Sequence, residues 1–288
     1  MKIMKFFIMM ILIICISFTA CVNKTVSVDS GTNDTDSNNT DKDNSGIILW
    51  QYDYAARFAE TAPVIDGIGS DSAWDNADWK PIDQVWLGGG NASKSNLNPP
   101  PEGTYSGRFK IVWTEDRLYY LVEIIDTYLS ITRIENPYNA IEQDDCLELF
   151  INEDGLGGMH ENNNTAFAYH ISYDGAHAMD YVSGHGFIAR NRHVNYKIGN
   201  RDNADGSNLY TWEVEMKIFN KNYPVGGDPD YTPEKLFKNK MMGFAVAYCN
   251  AGLSNRREYF MGSMFIEGAD KNKAYQNADV FAKLYLVK

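Results

Sequence analysis

The stretch "LYTWEVEMKIF", Leu209 to Phe219, alternates apolar and polar side chains with a period of two. On a β-strand, one face would carry the apolar set, Tyr210, Trp212, Val214, Met216 and Ile218. The other face would carry the polar set, Thr211, Glu213, Glu215 and Lys217. Because successive side chains of a strand point to opposite faces, the pattern predicts an antiparallel strand with one buried and one solvated face.

Similar strand patterns recur along the chain. "GRFKIVWTEDRLYYLVEIID", Gly107 to Asp126, predicts two strands joined by the turn "TEDR". Turn signals such as "NEDG", "YDG" and "NADG" separate further short apolar runs. Helix signals are scarce, and "TPEKLF", with Thr232 as N-cap, predicts one short helix. Many short strands with turns between them predict an all-β chain, either a sandwich or a barrel.

The N-terminus has the features of a secretory signal. A short basic head precedes the apolar run Phe6 to Ile16, which is too short for a good membrane span. "SFTAC" resembles a bacterial lipobox, so we expect a signal peptide over residues 1–20 and lipidation of Cys21; ordinary secretion with cleavage nearby is the alternative. Residues 21–46 are rich in Ser, Thr, Asn and Asp, which predicts a disordered tether.

This organisation predicts one domain over residues 47–288, anchored to a membrane through an N-terminal lipid. The expected location is extracytoplasmic, at the cell surface or the outer membrane. Aromatic residues make up 13% of the chain and hydrophobic residues 44%, enough for a sizeable core. The formal net charge of −12 argues against nucleic acid as a partner.

Two cysteines, Cys146 and Cys249, remain in the domain once the signal and the lipidated residue are set aside. Both lie in apolar, strand-like runs. Buried free thiols and a disulfide are both compatible with the sequence and the expected compartment.

Four motifs in chain order resemble the carbohydrate-binding modules of family 9, which occur attached to xylanases and in surface proteins. They are "APVIDGIGSDSAW" (62–74), "FKIVWTEDRLYYLVEIID" (109–126), "DCLELFINED" (145–154) and "VFAKLYLVK" (280–288). The resemblance implies a distorted antiparallel β-sandwich of two sheets, often with bound calcium. It also implies a non-catalytic domain that binds polysaccharide or oligosaccharide. Within the first motif, Asp66 and Gly67 are expected to form a turn and Trp74 a core anchor.

The resemblance further implies a sugar clamped between two aromatic rings. Tyr275 falls where the family has the second ring, a Trp, and Asn272 falls on the family's Asn. The position of the first ring is Glu142 in this chain, and the nearest aromatic residue is Tyr138. Either Tyr138 reaches the same place or the clamp is half missing.

Glu148 falls on the family's Glu, which contacts sugar hydroxyls, and His170 falls where the family has a sugar-binding Arg. Strand alternation turns Leu147, Leu149 and Ile151 towards the core, and Cys146, Glu148 and Phe150 the other way. A carboxylate between apolar neighbours needs a partner or a ligand, so Glu148 either contacts the sugar or forms a buried ion pair. The imidazole of His170 can donate to a hydroxyl, but it lacks the bidentate fork of Arg.

Metal signals are weaker. Asp126, Asp145 and Asp154 could supply oxygen ligands to calcium, although solvated turn carboxylates would give the same pattern. All five histidines lie between His160 and His193 without the close spacing of a zinc motif, so the sequence does not predict a zinc site. A haem-binding relative is a further alternative, for which His170, Met216 and Met241 are available as axial ligands. No "C-x-x-C-H" occurs, however, and no haem is expected.

The sequence therefore predicts a non-catalytic carbohydrate-binding lipoprotein. It would capture glycans or glycan chain ends through an aromatic clamp and so support polysaccharide breakdown. The alternative is a structural or assembly lipoprotein with the same fold and no sugar site. Glycoside hydrolysis needs two carboxylates across a cleft, one with a raised pKa, and no motif marks such a pair. Asp145 and Glu148 point to opposite faces of their strand, and a hydrolase association would come from the multidomain enzymes that carry such modules.

Overall fold

The computed structural model describes residues 52–133, 135–160, 164–202 and 208–288. The predicted signal peptide, the lipidation site Cys21, the tether and the predicted start of the domain lie outside these residues. Within them, regular structure consists of fourteen strands and three short 3-10 helices. In this part of the chain, no helix combines the length and the apolar character needed to cross a bilayer.

The strands are β1 (Tyr54–Phe58), β2 (Lys80–Pro81), β3 (Gln84–Leu87), β4 (Tyr105–Trp113), β5 (Leu118–Asp126), β6 (Cys146–Asn152), β7 (Phe167–Ser172), β8 (Ala178–Val182), β9 (Gly186–Ala189), β10 (Val194–Asp202), β11 (Asn208–Met216), β12 (Met241–Ala251), β13 (Arg257–Gly262) and β14 (Ala282–Val287). The 3-10 helices are Ser72–Trp74, Ile141–Gln143 and Ala278–Val280. The predicted all-β fold class is confirmed.

Hydrogen bonds join the strands in the order β10-β11-β5-β4-β1-β14-β12-β6-β7-β8-β9, with β2 beside β4 and with β13 joining β12 to β3. Strand β1 connects the two halves of this curled sheet. It pairs in parallel with both β14 and β4, whereas the other strand pairs are antiparallel. The expected antiparallel pattern therefore fails at one place, where the chain crosses between the halves.

The two halves face each other across the main core. Phe109 on β4 contacts Phe244 on β12 with a centroid distance of 6.1 Å, and Tyr105 stacks on Tyr248 at the same distance. The predicted apolar face of the opening stretch lies in this core, with Tyr210, Trp212, Val214, Met216 and Ile218 all buried. The predicted alternation on β6 is also confirmed, because Leu147, Leu149 and Ile151 join this core while Cys146 and Phe150 join a second cluster.

The predicted hairpin forms as β4 and β5, which pair along their whole length. The predicted helix at Thr232 is wrong. Its backbone hydrogen bonds go to neighbouring segments instead, from Glu234 N to Ile218 O at 2.8 Å and from Leu236 N to Glu115 O at 2.8 Å. Tertiary contacts therefore override the local helix-start signal.

The polar face of β11 is only partly solvated, because Glu213 is fully buried while Glu215 and Lys217 are partly exposed. Its carboxylate accepts hydrogen bonds from Asp66 N at 3.1 Å, Gly67 N at 2.8 Å and Trp74 Nε1 at 3.2 Å. Gly67 has a φ of 85°, and its carbonyl lies so close to Gly199 that a side chain on Gly199 would collide with it. The predicted turn and the Trp74 anchor thus pack over the outer face of β11.

His193, just before β10, is a buried histidine held by aromatic neighbours. Its Nδ1 lies 2.7 Å from the Tyr169 hydroxyl, and its ring lies 4.2 Å from that of Phe219 and 4.9 Å from that of Tyr223. Its Nε2 has no hydrogen-bond partner among the described residues. Burial lowers the pKa of His193 to about 3, so the folded protein keeps this ring neutral.

We therefore expect His193 to destabilise the fold in acid. Below pH 6.5 the unfolded chain binds a proton at this position that the folded chain does not, so the free energy of unfolding falls as the pH decreases. Between pH 7 and pH 5, wild-type protein should lose about 2 kcal/mol more than the variant His193→Phe. Urea titrations of both proteins at the two pH values measure this difference. The contributions of other titrating groups cancel because both proteins contain them. Equal losses of stability in the wild type and the variant would contradict the prediction.

Candidate functional site

Four of the predicted site residues lie in one cavity of about 240 Å³. It is lined by Glu142, Glu148, His170, Tyr181, Phe187, Arg257, Phe260, Asn272 and Tyr275. The predicted residues Tyr275, Asn272, Glu148 and His170 are among them. Tyr138 is not, and its side chain is 58% exposed. The family's first-ring position, occupied here by Glu142, does contribute to the wall.

Strand register brings these side chains together from distant parts of the sequence. Glu148 on β6 lies directly opposite His170 on β7, and Tyr181 on β8 lies opposite Phe187 on β9. Arg257 is the first residue of β13, which pairs with β12. Asn272 and Tyr275 come from the loop before β14. The cavity therefore lies on the face of the sheet turned away from the main core.

Half-buried aromatic side chains form one wall of the cavity. Tyr275 meets Tyr181 with a centroid distance of 5.2 Å and an interplanar angle of 66°, and Tyr181 meets Phe187 at 5.4 Å. Because Tyr275 and Tyr181 contact each other edge to face, no sugar ring fits between them. The geometry offers a one-sided aromatic surface. Neither Tyr181 nor Phe187 belongs to a recognisable motif, and their strand-like surroundings alone do not mark them as site residues.

Glu148 lies at the base of the cavity, 1% exposed. Its Oε1 is 3.2 Å from His170 Nε2, 3.8 Å from Arg257 Nη1, and accepts a hydrogen bond from Cys249 Sγ at 2.9 Å. Burial alone would raise the pKa of Glu148, but His170 and Arg257 outweigh it and lower this pKa below its usual value. For His170, the carboxylate likewise outweighs burial and raises the pKa. The buried ion pair considered from the sequence is therefore present, at a residue that also lines the cavity.

Two polar atoms at the cavity lack partners among the described residues. Oε2 of Glu142 and Nε of Arg257 are both buried without a hydrogen bond. Buried polar atoms are rarely left unpaired, and each costs about 1–3 kcal/mol when it is. One is an acceptor and the other a donor, so a hydroxylated ligand can satisfy both. Arg257 was missed in the sequence, where it stands in an ordinary strand pattern, "REYFMG".

A larger cavity of about 680 Å³ lies elsewhere and contains none of the predicted site residues. Its lining includes Arg117 and Arg190, whose charges are already compensated. Arg117 Nε lies 3.1 Å from Glu215, and Arg190 Nε lies 3.6 Å from Asp180. The larger cavity also combines aromatic side chains with polar atoms that have no hydrogen bond among the described residues, at Arg190 Nε and His193 Nε2. The smaller cavity is the stronger candidate because it brings together the residues that the motifs single out.

Two of the three proposed calcium ligands come together. Asp126 and Asp145 are both buried and lie near each other. Burial is the main cause of their raised pKa values, which are about 7 for Asp126 and about 8 for Asp145. The charge of Asp126 further raises the pKa of Asp145. Asn250 Nδ2 donates to Asp126 at 3.1 Å, and Ala251 N donates to Asp145 at 2.8 Å. A carboxylate has about four lone pairs, so these bonds leave acceptor capacity for a cation.

Asp154 does not join this pair. Its Oδ1 accepts hydrogen bonds from Asn152 Nδ2 at 3.0 Å and from Leu156 N at 3.1 Å, and its Oδ2 lies 3.6 Å from Lys221 Nζ. These contacts belong to the turn after β6. Donor chemistry and burial therefore fit a divalent cation at Asp126 and Asp145, and assign Asp154 to the turn.

Comparisons with known proteins give a consistent result. A family model described as "Carbohydrate family 9 binding domain-like" matches residues 65–288. Two solved structures of a family 9 carbohydrate-binding module from Caldicellulosiruptor kristjanssonii are similar in fold. The complex with cellotriose has a TM-score of 0.52 and 17% identity, covering 81% of this chain and 93% of that one. The complex with glucose has a TM-score of 0.52 and 18% identity, covering 81% and 95%.

A third structure, from Bacteroides uniformis ATCC 8492, has a TM-score of 0.50 and 11% identity, covering 81% of this chain and 97% of that one. No curated protein sequence matches the chain significantly. At these identities the solved structures establish a shared fold, while the family model covers most of the chain.

Proposed function

Because the chain belongs to the carbohydrate family 9 binding domain-like family, we propose that it is a non-catalytic glycan-binding protein whose site is the cavity at Tyr275. One observation carries the proposal. The residues at the family's sugar-binding positions share this cavity with an aromatic wall and with the unpaired buried atoms of Glu142 and Arg257. A sugar needs this combination, because its ring has apolar C–H faces and a polar hydroxyl rim.

In the proposed complex, one face of a sugar ring packs on Tyr275. Its hydroxyls donate to Glu142 Oε2 and accept from Arg257 Nε, with Asn272 and Glu148 completing the polar rim. The cavity of about 240 Å³ is smaller than the range of roughly 300–1,000 Å³ that holds drug-sized ligands. One terminal sugar therefore suits it better than an internal stretch of polysaccharide. The solved complexes of the Caldicellulosiruptor module make cellotriose and glucose the first ligands to test.

A binding role without hydrolysis is supported by the electrostatics of Glu148. A glycosidase needs one carboxylic acid with a raised pKa to protonate the leaving group. The pKa of Glu148 is lowered by His170 and Arg257, so this group stays an anion and serves as a hydrogen-bond acceptor. An ionised Glu148 suits a site that binds the end of a glycan chain without cleaving it.

We also propose that Cys21 is lipidated and that the tether displays the domain from a membrane at the cell surface. The support is the sequence alone, with "SFTAC" followed by a polar segment. Such a protein would hold glycans close to the cell and so assist their breakdown by other proteins.

Tyr275→Ala is expected to weaken binding of cellotriose about tenfold, because removing a contact aromatic costs about 1.4 kcal/mol. Isothermal titration calorimetry or affinity electrophoresis measures the change. Phe265→Ala is the matched control, since Phe265 is 71% exposed and does not line the cavity. A screen with glucan, xylan and mannan oligosaccharides extends the test to other sugars. The proposal is refuted if wild-type protein binds none of them, or if Tyr275→Ala binds as tightly as wild type.

For the carboxylate pair, we propose that Asp126 and Asp145 hold a calcium ion, which would neutralise two buried charges. Calcium at about a hundred times its dissociation constant should raise the melting temperature by about 5–10 °C over protein in EDTA. Asp145→Asn should remove most of this increase. Asp154→Asn should keep it, because Asp154 lies in a separate turn. An equal increase in wild type and Asp145→Asn, measured by thermal unfolding, would rule out this site.

A further inference from the structure

Next to the glycan cavity, three potential metal ligands converge from two neighbouring strands. A ligand atom each of Cys146, Glu148 and Cys249 lies within 4.8 Å of the other two, and all three residues are buried. Cys146 and Cys249 stand directly opposite each other in the pairing of β6 with β12, and both are free thiols. Glu148 lies two positions after Cys146, on the same face of β6. The arrangement thus follows from strand register.

His170 supplies a fourth ligand atom. Its Nε2 lies 3.2 Å from Glu148 Oε1, and its Nδ1 lies 2.9 Å from the carbonyl oxygen of Ala168. A carbonyl only accepts hydrogen bonds, so Nδ1 carries the proton that is donated to it. In the metal-free protein, Nε2 faces Glu148 in the buried ion pair; once the Nε2 proton is displaced, the lone pair is free to bind a metal ion. Metal-bound histidines are commonly held in this way, with the distal ring nitrogen donating to a backbone carbonyl.

Arg257 balances the charge that such a site would carry. Its Nη1 lies 3.3 Å from Cys249 Sγ and 3.8 Å from Glu148 Oε1. Two thiolates and one carboxylate together carry three negative charges. A divalent cation and the guanidinium supply three positive charges, which leaves the buried cluster neutral. The metal ion neutralises two of the three negative charges, and Arg257 neutralises the third.

We propose that Cys146, Cys249, Glu148 and His170 form a tetrahedral site for zinc. Two thiolates, one imidazole and one carboxylate are ligands that zinc accepts, at about 2.3 Å for sulfur and about 2.0–2.2 Å for nitrogen and oxygen. Ligand atoms at these bond lengths lie within about 4 Å of one another. In the structure the ligand atoms of Cys146, Cys249 and Glu148 lie within 4.8 Å of one another, and His170 Nε2 lies 3.2 Å from Glu148 Oε1. Binding displaces two thiol protons, because burial raises the pKa of both cysteines. It also displaces the Nε2 proton of His170 that forms the ion pair with Glu148.

The site shares Glu148 and His170 with the glycan cavity. A metal ion would hold both side chains away from sugar hydroxyls and commit the guanidinium of Arg257 to the thiolates. Zinc is therefore expected to weaken glycan binding, and glycan to weaken zinc binding by the same factor. Zinc binding itself needs no glycan, so this proposal and the proposed function succeed or fail separately.

The test uses purified protein with its thiols kept reduced. Titration with zinc against a chromophoric chelator should give one tight equivalent, with release of protons into weakly buffered solution. Cobalt in place of zinc should give the thiolate-to-cobalt charge-transfer band and the intense visible bands of a tetrahedral ion. Cys146→Ser and Cys249→Ser should each weaken binding at least tenfold, whereas His177→Ala, which changes a partly exposed histidine paired with Asp174, should not.

Three outcomes would overturn the proposal. They are a cobalt spectrum without a thiolate band, the same zinc equivalent in the double variant Cys146→Ser/Cys249→Ser, and a Cys146–Cys249 disulfide in the native protein. The cobalt spectrum of the unaltered protein is decisive even if a cysteine variant fails to fold. Circular dichroism of each variant separates a lost ligand from a lost fold.

Discussion

Replacing Arg257 with methionine is expected to abolish measurable oligosaccharide binding and to lower the free energy of unfolding by about 3 kcal/mol. The guanidinium provides the unpaired Nε that we assign to a sugar hydroxyl. It also lies 3.8 Å from Glu148, which is buried and charged. The expected loss of stability lies at the lower end of the range for a broken buried ion pair, because His170 still faces the carboxylate.

The double variant Arg257→Met/Glu148→Met separates the two effects. Removing both charges relieves the uncompensated carboxylate, so most of the lost stability should return while binding stays absent. Arg256→Met is the control, because Arg256 is an exposed neighbour that does not line the cavity. Urea denaturation and calorimetry with cellotriose give both quantities. Normal binding by Arg257→Met would remove this residue from the site.

Glu213→Leu is expected to lower the free energy of unfolding by about 3–5 kcal/mol, although Glu213 is outside the glycan cavity. The carboxylate accepts three hydrogen bonds, from Asp66 N, Gly67 N and Trp74 Nε1. Leucine would leave these three donors without this acceptor, in a region where Glu213 itself is fully buried. The segment that contains Trp74 should therefore detach from β11 and become sensitive to proteolysis.

Glu215→Leu is the matched control on the same face of the same strand. Glu215 is partly exposed and pairs with Arg117 at 3.1 Å, so its loss should cost less than about 1 kcal/mol. Urea denaturation compares the two variants, and limited proteolysis monitors the segment near Trp74. Equal stability losses for the two variants would show that the buried carboxylate has no special role.

The local pattern was sufficient for the strands and the main core. A period of two relates directly to which side chains share a face, so the buried row from Tyr210 to Ile218 and the alternation on β6 were predictable. The burial of Glu213 was not, because the segment that covers it lies far away in the sequence. For the same reason the local helix-start signal at Thr232 was misleading. The backbone N–H groups of Glu234 and Leu236 donate to carbonyl oxygens of segments that are distant in sequence, and not to carbonyls within a helix.

The candidate site divides in a similar way. Glu148, His170, Asn272 and Tyr275 were singled out from motifs, and the structure gathers them around one cavity. Arg257, Tyr181 and Phe187 reach this cavity only through strand register, which no short motif encodes. The cluster of Cys146 with Cys249 was equally hidden, because its members stand opposite each other on strands that are widely separated in sequence.

The parallel strand β1 has a consequence for biogenesis. It is the first strand of the described residues, yet it pairs with β14, the last, from Tyr54 opposite Leu284 to Arg57 opposite Val287. During translation β1 must wait for β14 to leave the ribosome before this pairing can form. Such distant pairings slow folding because a long loop must close first. The nascent chain therefore cannot complete its sheet before β14 has been synthesised, which leaves it open to transport or to chaperones until then.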